Sequence, residues 1–234
     1  MNKKILIPII ILLIITAGIL GYFYLSQKPD DEKPAISTIN PEELIIFEVK
    51  NEKISEYQKD QAFERFTSAK NTISKNQADN VAIEDNANYY PWLAIAGAQK
   101  VIGDYDRAAQ IWIWFTDAYA GNSISPANLA DLYKSFVIDK EKSEKYYLIA
   151  IEREKHDFQI YYGFYELYRY LFEDQDKAVQ ILEDGWQNNP DNRNYVVELV
   201  NYLISVDKKD KAGTVIDKWL ETHPEDYSMK AKLE

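Results

Sequence analysis

The two histidines of this chain, His156 and His223, are its side chains best suited to acid–base catalysis or metal binding near neutral pH. They are far apart in the sequence, and each lies at a predicted break between helices. Two imidazoles placed in this way do not make a metal site, and neither has an adjacent nucleophile to activate. The histidines are therefore expected to be ordinary surface residues.

Other groups that could perform chemistry are equally sparse. The acidic pairs Asp30-Asp31 and Glu173-Asp174 lie in polar segments, whereas paired carboxylates act as acid and base only in a cleft that separates their pKa values. The eight glycines form no phosphate-binding motif, and the lack of cysteine excludes thiol catalysis, disulfides and zinc–thiolate sites. The sequence therefore predicts a protein that is not an enzyme and has no cofactor and no metal site.

The charge of the chain limits its partners. Of the 27 basic residues, Lys3 and Lys4 precede a long apolar stretch, so the rest of the chain sets 25 basic against 38 acidic residues. A domain this acidic repels phosphate backbones, which argues against nucleic-acid binding. A basic peptide or a neutral ligand is easier to accommodate.

The apolar stretch, residues 5–25, contains 21 residues without a charge. As a helix it would be about 31 Å long, which matches a hydrocarbon core of about 30 Å. Aromatic residues 22–24 stand at its distal end, lysines precede it, and acidic residues 30–32 follow it. The positive-inside rule then puts residues 1–4 in the cytoplasm and the C-terminal domain on the extracytoplasmic side.

A cleaved signal peptide and a buried core helix are the alternatives to this transmembrane signal-anchor. The run is longer than a signal peptide requires and ends in bulky aromatic residues, and a core helix rarely lacks a polar face over such a length. Residues 26–52 then read as a flexible linker with a short juxtamembrane segment. Asn40-Pro41 is a helix-start signature, while Leu44–Val49 fits either a short helix or a strand.

An internal repeat organises the rest of the chain. A small residue recurs at spacings of 35, 35 and 34, at Ala108, Ser143, Ala178 and Ala212. Each is preceded by an apolar i, i+3, i+4, i+7 pattern, so each unit is predicted to be two antiparallel helices that cross closely at the small residue. Pro190 and Pro224 end the last two units because proline cannot continue a helix.

Three further segments follow from this pattern. Residues 89–224 hold the repeats, and residues 53–88 are expected to form a capping helix and loop, with Tyr57, Phe63, Phe66, Ala69 and Ile73 on its apolar face. Residues 225–234 are a charged tail, too short for another unit and expected to fray.

The repeat resembles the tetratricopeptide repeat (TPR) family, whose unit has 34 residues. The best-matching residues are Trp92, the turn Gly103-Asp104-Tyr105 and the pair Ala108 and Trp112. The resemblance implies an all-α fold, a TPR-like right-handed α-solenoid of about four helix pairs, added to the transmembrane helix. Tyr165 stands where the family has glycine, which predicts that the third pair spreads apart. Units two and three also carry one extra residue, predicted to lie at the helix–helix turn.

The resemblance also implies a binding surface, since the first helices of TPR units line a concave groove for peptides. Carried over by position, that groove holds Tyr90, Leu93, Lys100, Asp131, Lys134, Tyr162, Glu166, Arg169, Asn194 and Asn201. The first helix of the third unit is aromatic nearly all round and carries five tyrosines between residues 161 and 170. These tyrosines fit either a central packed helix or a tyrosine-lined groove.

The sequence thus predicts a membrane-anchored interaction scaffold on the extracytoplasmic side, acting in envelope assembly or secretion. Its partners would be a protein or peptide, and the membrane through residues 5–25. The alternative is a structural subunit of an oligomeric membrane complex. An enzyme accessory or degenerate hydrolase has no residues to support it.

Overall fold

The computed structural model of the chain describes residues 41–83 and 85–232. Within these residues the chain is all-α, with no β-strand. The helices are α1 (Pro41–Leu44), α2 (Glu56–Ala78), α3 (Asn86–Val101), α4 (Tyr105–Ala118), α5 (Ile124–Leu132), α6 (Lys140–Arg153), α7 (Phe158–Glu166), α8 (Gln175–Asn188), α9 (Arg193–Ser205), α10 (Lys209–Thr222) and α11 (Tyr227–Lys230). The predicted transmembrane segment lies outside the described residues. No helix in the described part is both long and apolar enough to cross a membrane.

The helices α3 to α10 form antiparallel pairs, as the repeat predicts. The second helix of each pair packs on the first, and every unit's first helix also packs on the second helix of the unit before it. The small residues predicted at the crossings are all fully buried, at Ala108, Ser143, Ala178 and Ala212. Ser143 also donates a hydrogen bond to the carbonyl of Ala130 at 2.9 Å, so its hydroxyl is satisfied inside the crossing. The repeat prediction and the all-α prediction are confirmed.

The extra residue of units two and three is absorbed where the first helix ends. The helices α5 and α7 continue into π-helical turns at Tyr133–Val137 and Leu167–Phe172. A π-helical turn closes its hydrogen bond one residue later than an α-helical turn, so it takes up one inserted residue without breaking the helix. The chain then reverses, and the second helix starts in register.

One residue in the turn after each first helix adopts a left-handed backbone. The residues at this position are Gly103, Ile138, Glu173 and Asp207, with φ angles of 84°, 57°, 57° and 60°. Glycine suits the position, whereas Ile138 is β-branched and is strained there by about 1–2 kcal/mol. Ile138 is also 59% exposed, so burial of its side chain does not offset the strain. The packing of the flanking helices must therefore enforce this turn.

The N-terminal end of the repeats is capped by α2 and by an extended segment, residues 45–50, which a turn at residues 51–54 connects to α2. The helix α2 begins with a capping box between Ser55 and Gln58 and packs on α3. The segment lies across both helices, with Phe47 edge-on against Phe63 and Phe66 at centroid distances of 5.2 and 5.3 Å. It therefore covers a face of α3 on which no further helix pair packs.

Polar contacts fasten this segment to the first unit. The side-chain amide of Gln99 donates to the carbonyls of Leu44 and Ile46 at 2.5 and 3.3 Å. The Lys50 ammonium lies 2.8 Å from the fully buried Asp104 carboxylate, in the turn between α3 and α4. These contacts hold the segment against α3 and the turn that follows it.

Two expectations about the N-terminal cap are corrected. Leu44–Val49 is neither a helix nor a strand, because α1 ends at Leu44 and the chain then runs extended. In α2 the buried residues are Ala62, Phe66, Ala69 and Ile73, while Tyr57 and Phe63 are 74% and 53% exposed. Fewer apolar side chains of α2 are buried than predicted, because α3 and the extended segment are the packing partners of this helix.

The described part of the tail, up to residue 232, is an ordered cap. Met229 of α11 is fully buried, and the Asp226 carboxylate accepts hydrogen bonds from Arg193 at 2.7 Å and from the Trp219 indole at 3.0 Å. The pKa of Asp226 lies well below its usual range, chiefly because the Arg193 guanidinium donates a hydrogen bond to this carboxylate. The expectation of a frayed tail was wrong.

Candidate binding surface on the first helices

The predicted groove residues of the second and third units meet in one polar cluster. The Lys134 ammonium lies 2.8 Å from Glu166 on the next first helix and 3.3 Å from Asp131 on its own. Asp131 also accepts a hydrogen bond from the hydroxyl of Tyr147 at 2.5 Å. Because only 12% of the Lys134 side chain is exposed, these carboxylates neutralise an ammonium that is largely withdrawn from water.

A second cluster surrounds Arg169 and joins the third unit to the fourth. The guanidinium carbon of Arg169 lies 4.8 Å from the ring centroid of Tyr170 and 5.0 Å from that of Tyr202. One of its amino groups donates to the Tyr165 hydroxyl at 2.5 Å and is 3.9 Å from Glu198. Stacking on aromatic faces holds the planar guanidinium in one orientation. Together these two groups form the central cluster, which consists of Asp131, Lys134, Tyr162, Tyr165, Glu166, Arg169, Glu198 and Tyr202.

The tyrosines of the central cluster are kept neutral. Burial, followed by the nearby charge of Glu198, raises the pKa of Tyr165. Burial and the carboxylates of Glu198 and Glu166 raise the pKa of Tyr162, which is half-buried. A neutral phenol keeps both a donor and an acceptor, so the hydroxyl of the half-buried Tyr162 can bond to peptide groups of a ligand, whereas that of the buried Tyr165 is bonded to Arg169.

The other predicted groove residues lie on first helices but outside the central cluster. Tyr90 is 69% exposed, and its ring lies 5.4 Å from that of Tyr89. Leu93 is half-buried on the same helix, and the Lys100 ammonium is 5.9 and 5.7 Å from the rings of Trp112 and Phe136. The structure therefore does not join the first unit's candidates to those of the second and third.

The two asparagines of the fourth unit are also separate. Asn194 is exposed in the first turn of α9, where its backbone N–H is bonded to the Asn192 side chain that caps the helix. The side-chain oxygen of Asn201 accepts a hydrogen bond from Lys232 at 2.6 Å. The tail thus covers part of the surface that Asn201 was predicted to offer.

Of the tyrosines in α7 and in the π-helical turn after it, some are packed in the core and others lie at the surface, so each of the two predicted alternatives holds for part of them. Tyr161, Tyr165 and Tyr168 are 2%, 0% and 8% exposed and belong to the core, whereas Tyr162 is half-buried and Tyr170 is 57% exposed. The Tyr165 ring lies 5.1 Å from that of Tyr202 on α9. It is thus directed toward the neighbouring first helix.

Three members of the central cluster were missed from the sequence: Tyr165, Glu198 and Tyr202. Tyr165 had been assigned to the helix crossing, and Tyr202, which lies one turn after Glu198 in α9, was not selected. The repeat spacing did offer a signal for Glu198. Arg169 contacts Glu198, which lies 29 residues further on, and Lys134 approaches the Gly163 carbonyl, which also lies 29 residues further on. This offset recurs because both cations occupy the same repeat position.

The histidines lie outside the central cluster. The ring nitrogen of His156 is 2.9 Å from the side-chain oxygen of Asn189, and the His223 ring stacks on Trp219 at 3.6 Å. In the described part of the chain, no group of three or more His, Cys, Asp or Glu residues could hold a metal ion. The arrangement of the central cluster is suited to binding through hydrogen bonds, charge and aromatic contact.

Fold and surface together define the described chain as an all-α protein of repeated helix pairs. No protein-family model matches the sequence, and no curated protein matches it. Among solved structures, the chain is similar to the crystal structure of a MamA protein, with 18% identity and a TM-score of 0.47 over 70% of this chain and 95% of that one.

Two further structures are similar in the same way. A tetratricopeptide repeat protein from Parabacteroides merdae has 14% identity and a TM-score of 0.46, over 76% of this chain and 71% of that one. YrrB, described as a TPR protein with an unusual peptide-binding site, has 16% identity and a TM-score of 0.42, over 72% and 89%. The repeat architecture is established by the helix pairs of this chain itself.

Proposed function

We propose that this protein is an interaction scaffold that binds an extended segment of a protein partner on its first helices, at the central cluster. The observation that carries the proposal is the Arg169 cluster. An arginine stacked among tyrosines on a partly open surface has the composition of an interface hot spot. The ion pairs across α5, α7 and α9 fix these side chains before a ligand arrives, which lowers the entropic cost of binding.

The cluster also limits the chemistry of the ligand. At 3.9 Å the contact between Arg169 and Glu198 is at the outer limit of an ion pair, and 30% of the Arg169 side chain is exposed. Its guanidinium therefore keeps N–H groups for an acceptor such as a peptide carbonyl or a carboxylate. Tyr162 beside it offers an aromatic face and a neutral hydroxyl. A peptide with an apolar residue next to an exposed acceptor fits both.

Removing both groups should abolish partner capture. We expect Tyr162→Ala combined with Arg169→Ala to reduce recovery of the specific partner at least tenfold, a loss of about 1.4 kcal/mol or more. The measurement is affinity capture with the full-length chain, quantified by mass spectrometry. Tyr57→Ala with Lys53→Ala is the matched control, because it removes an exposed tyrosine from α2 and an exposed cation from the turn before α2. Unchanged recovery by the first double variant would exclude this surface.

We further propose that residues 5–25 anchor the chain in a membrane with the repeats on the extracytoplasmic side, where they would act in envelope assembly or secretion. Support comes from the sequence, through the uncharged run and the lysines before it. A C-terminal reporter that works only outside the cytoplasm should be active in the fusion. Activity confined to a reporter that works only in the cytoplasm would contradict the orientation.

A further inference from the structure

A hollow lies between two successive second helices, α6 and α8, and uses none of the central cluster. Its volume is about 310 Å³. The walls include Leu148 and Ile151 from α6 and Ile181 from α8, and Phe164 of α7 lies beneath them. Leu148 is 48% exposed, so the hollow is accessible from solvent. Its volume is at the lower end of the range for ligand pockets, which suits one or two side chains.

The other units show what usually fills this place. One unit later, the position of Ile151 is held by Trp186, which is buried and covered by the Lys218 ammonium of α10 at 5.0 Å. One unit earlier, the position of Ile181 is held by Tyr146, which is buried and stacked on Tyr133 at 5.8 Å. Between α6 and α8 both positions carry isoleucine. Each neighbouring interface has a large ring at only one of the two positions: Val215 accompanies Trp186 between α8 and α10, and Thr116 accompanies Tyr146 between α4 and α6. The hollow therefore lacks the single large ring that each neighbouring interface has.

Two charged side chains, Asp184 and Lys177, line the hollow. Asp184 stands at the repeat position that Lys218 holds one unit later, so the charge at this position is reversed. Burial raises the pKa of Asp184, and the nearby Lys177 opposes this effect without making an ion pair with it. Within the part of the chain that the structure describes, the Asp184 carboxylate has no ion-pair partner within 4 Å and no hydrogen-bond donor. Asp184 is exposed at the edge of the hollow. An unpaired carboxylate beside an apolar hollow favours a cation that arrives with an apolar group.

We propose that this hollow binds a segment of a partner protein that presents an aromatic side chain next to a basic one. The ring fills the space between Leu148, Ile151 and Ile181, and the basic group pairs with Asp184. The partner thus supplies a ring and a cation like those that Trp186 and Lys218 provide one unit later. Charge complementarity supports this occupant, because the chain beyond Lys4 carries 25 basic and 38 acidic residues. The site is separate from the central cluster and goes beyond the proposed function.

The probe is a fluorescein-labelled synthetic peptide, Gly-Ser-Gly-Trp-Arg-Gly-amide, titrated with the full-length chain and followed by fluorescence anisotropy. We expect saturable binding, at least fivefold weaker binding to Asp184→Asn, and no saturable binding to Ile151→Trp, which refills the hollow with the ring found one unit later. Asp217→Asn on α10 removes the same charge at a position that does not line the hollow and should bind like the unchanged chain. A peptide with glutamate in place of arginine should bind at least fivefold more weakly.

Several outcomes would overturn the inference. They are an absence of saturable binding to the unchanged chain, equal binding of the arginine and glutamate peptides, or equal binding to Asp184→Asn. If Ile151→Trp were misfolded by circular dichroism, the exposed Leu148→Glu would test the same wall. The Tyr162→Ala, Arg169→Ala double variant should bind the peptide normally. Failure at the hollow is therefore distinguishable from failure of the proposed groove.

Discussion

Raising the pH through about 10.5 to 11.5 is expected to unfold the repeats in one cooperative step, because the core holds many neutral tyrosines. Burial raises the pKa of each of five tyrosines that are at most 8% exposed, so the folded chain resists losing their protons. These residues are Tyr147, Tyr161, Tyr165, Tyr168 and Tyr195. An unfolded chain has no such resistance, and its tyrosines ionise near pH 10.

The sign and size of the effect follow from this difference. Below pH 10 the phenols are protonated in both states, and their contribution to stability is fully present. Above pH 10 the unfolded state gains about 1.4 kcal/mol per pH unit for each tyrosine that stays neutral in the folded state. Five such tyrosines together give about 7 kcal/mol per pH unit, against a total stability of about 5–15 kcal/mol for an ordinary domain.

Two signals followed in one titration test this expectation. Far-ultraviolet circular dichroism should lose its helical signal at the pH where most of the tyrosinate absorbance rises. Tyr195→Phe should move the midpoint upward, because it removes one ionising group and only a long contact, 3.4 Å from the Asn189 amide. Full tyrosinate absorbance with the helical signal retained would show that the buried phenols ionise inside the fold, contrary to the prediction.

The repeat units were predictable from the sequence because their determinants are local and periodic. A small residue at each helix crossing is a steric requirement, so Ala108 and its equivalents marked the register of every pair. Each second helix also follows a short turn. No local or periodic pattern marked residues 45–50. Their extended path depends on Gln99, which is distant in the sequence and whose side-chain amide donates to the Leu44 and Ile46 carbonyls.

The binding surface was predictable only in part, for a related reason. Position in the repeat placed Lys134, Tyr162 and Arg169 on first helices, and the structure brings them into the central cluster. The partners they meet are set by the crossing of neighbouring first helices, which a single unit does not reveal. Asn201 stays exposed, but its side-chain oxygen is bonded to Lys232, a contact made by the tail rather than by any repeat.

Gly185→Val is expected to lower the free energy of unfolding by about 3 kcal/mol, because this glycine makes room for tyrosines of the core. A Cβ atom at Gly185 would lie 2.2 Å from Cε1 of Tyr195 and 3.0 Å from Cδ1 of Tyr161. Both rings are almost fully buried, so neither can move aside without disturbing its own packing. The packing of Tyr161 and Tyr195 thus requires a residue without a side chain at position 185 of α8.

The same substitution at Gly97 is the matched control, since Gly97 lies inside α3 and a Cβ there would meet nothing within 4 Å. Gly97→Val should change stability by no more than about 0.5 kcal/mol, measured as the midpoint of urea unfolding. If the clash with Tyr195 is the cause, Gly185→Val should cost clearly less in a Tyr195→Leu background than in the unchanged chain. Equal costs in the two backgrounds, or equal costs at both glycines, would show that close approach of the tyrosine rings is not what requires glycine at position 185.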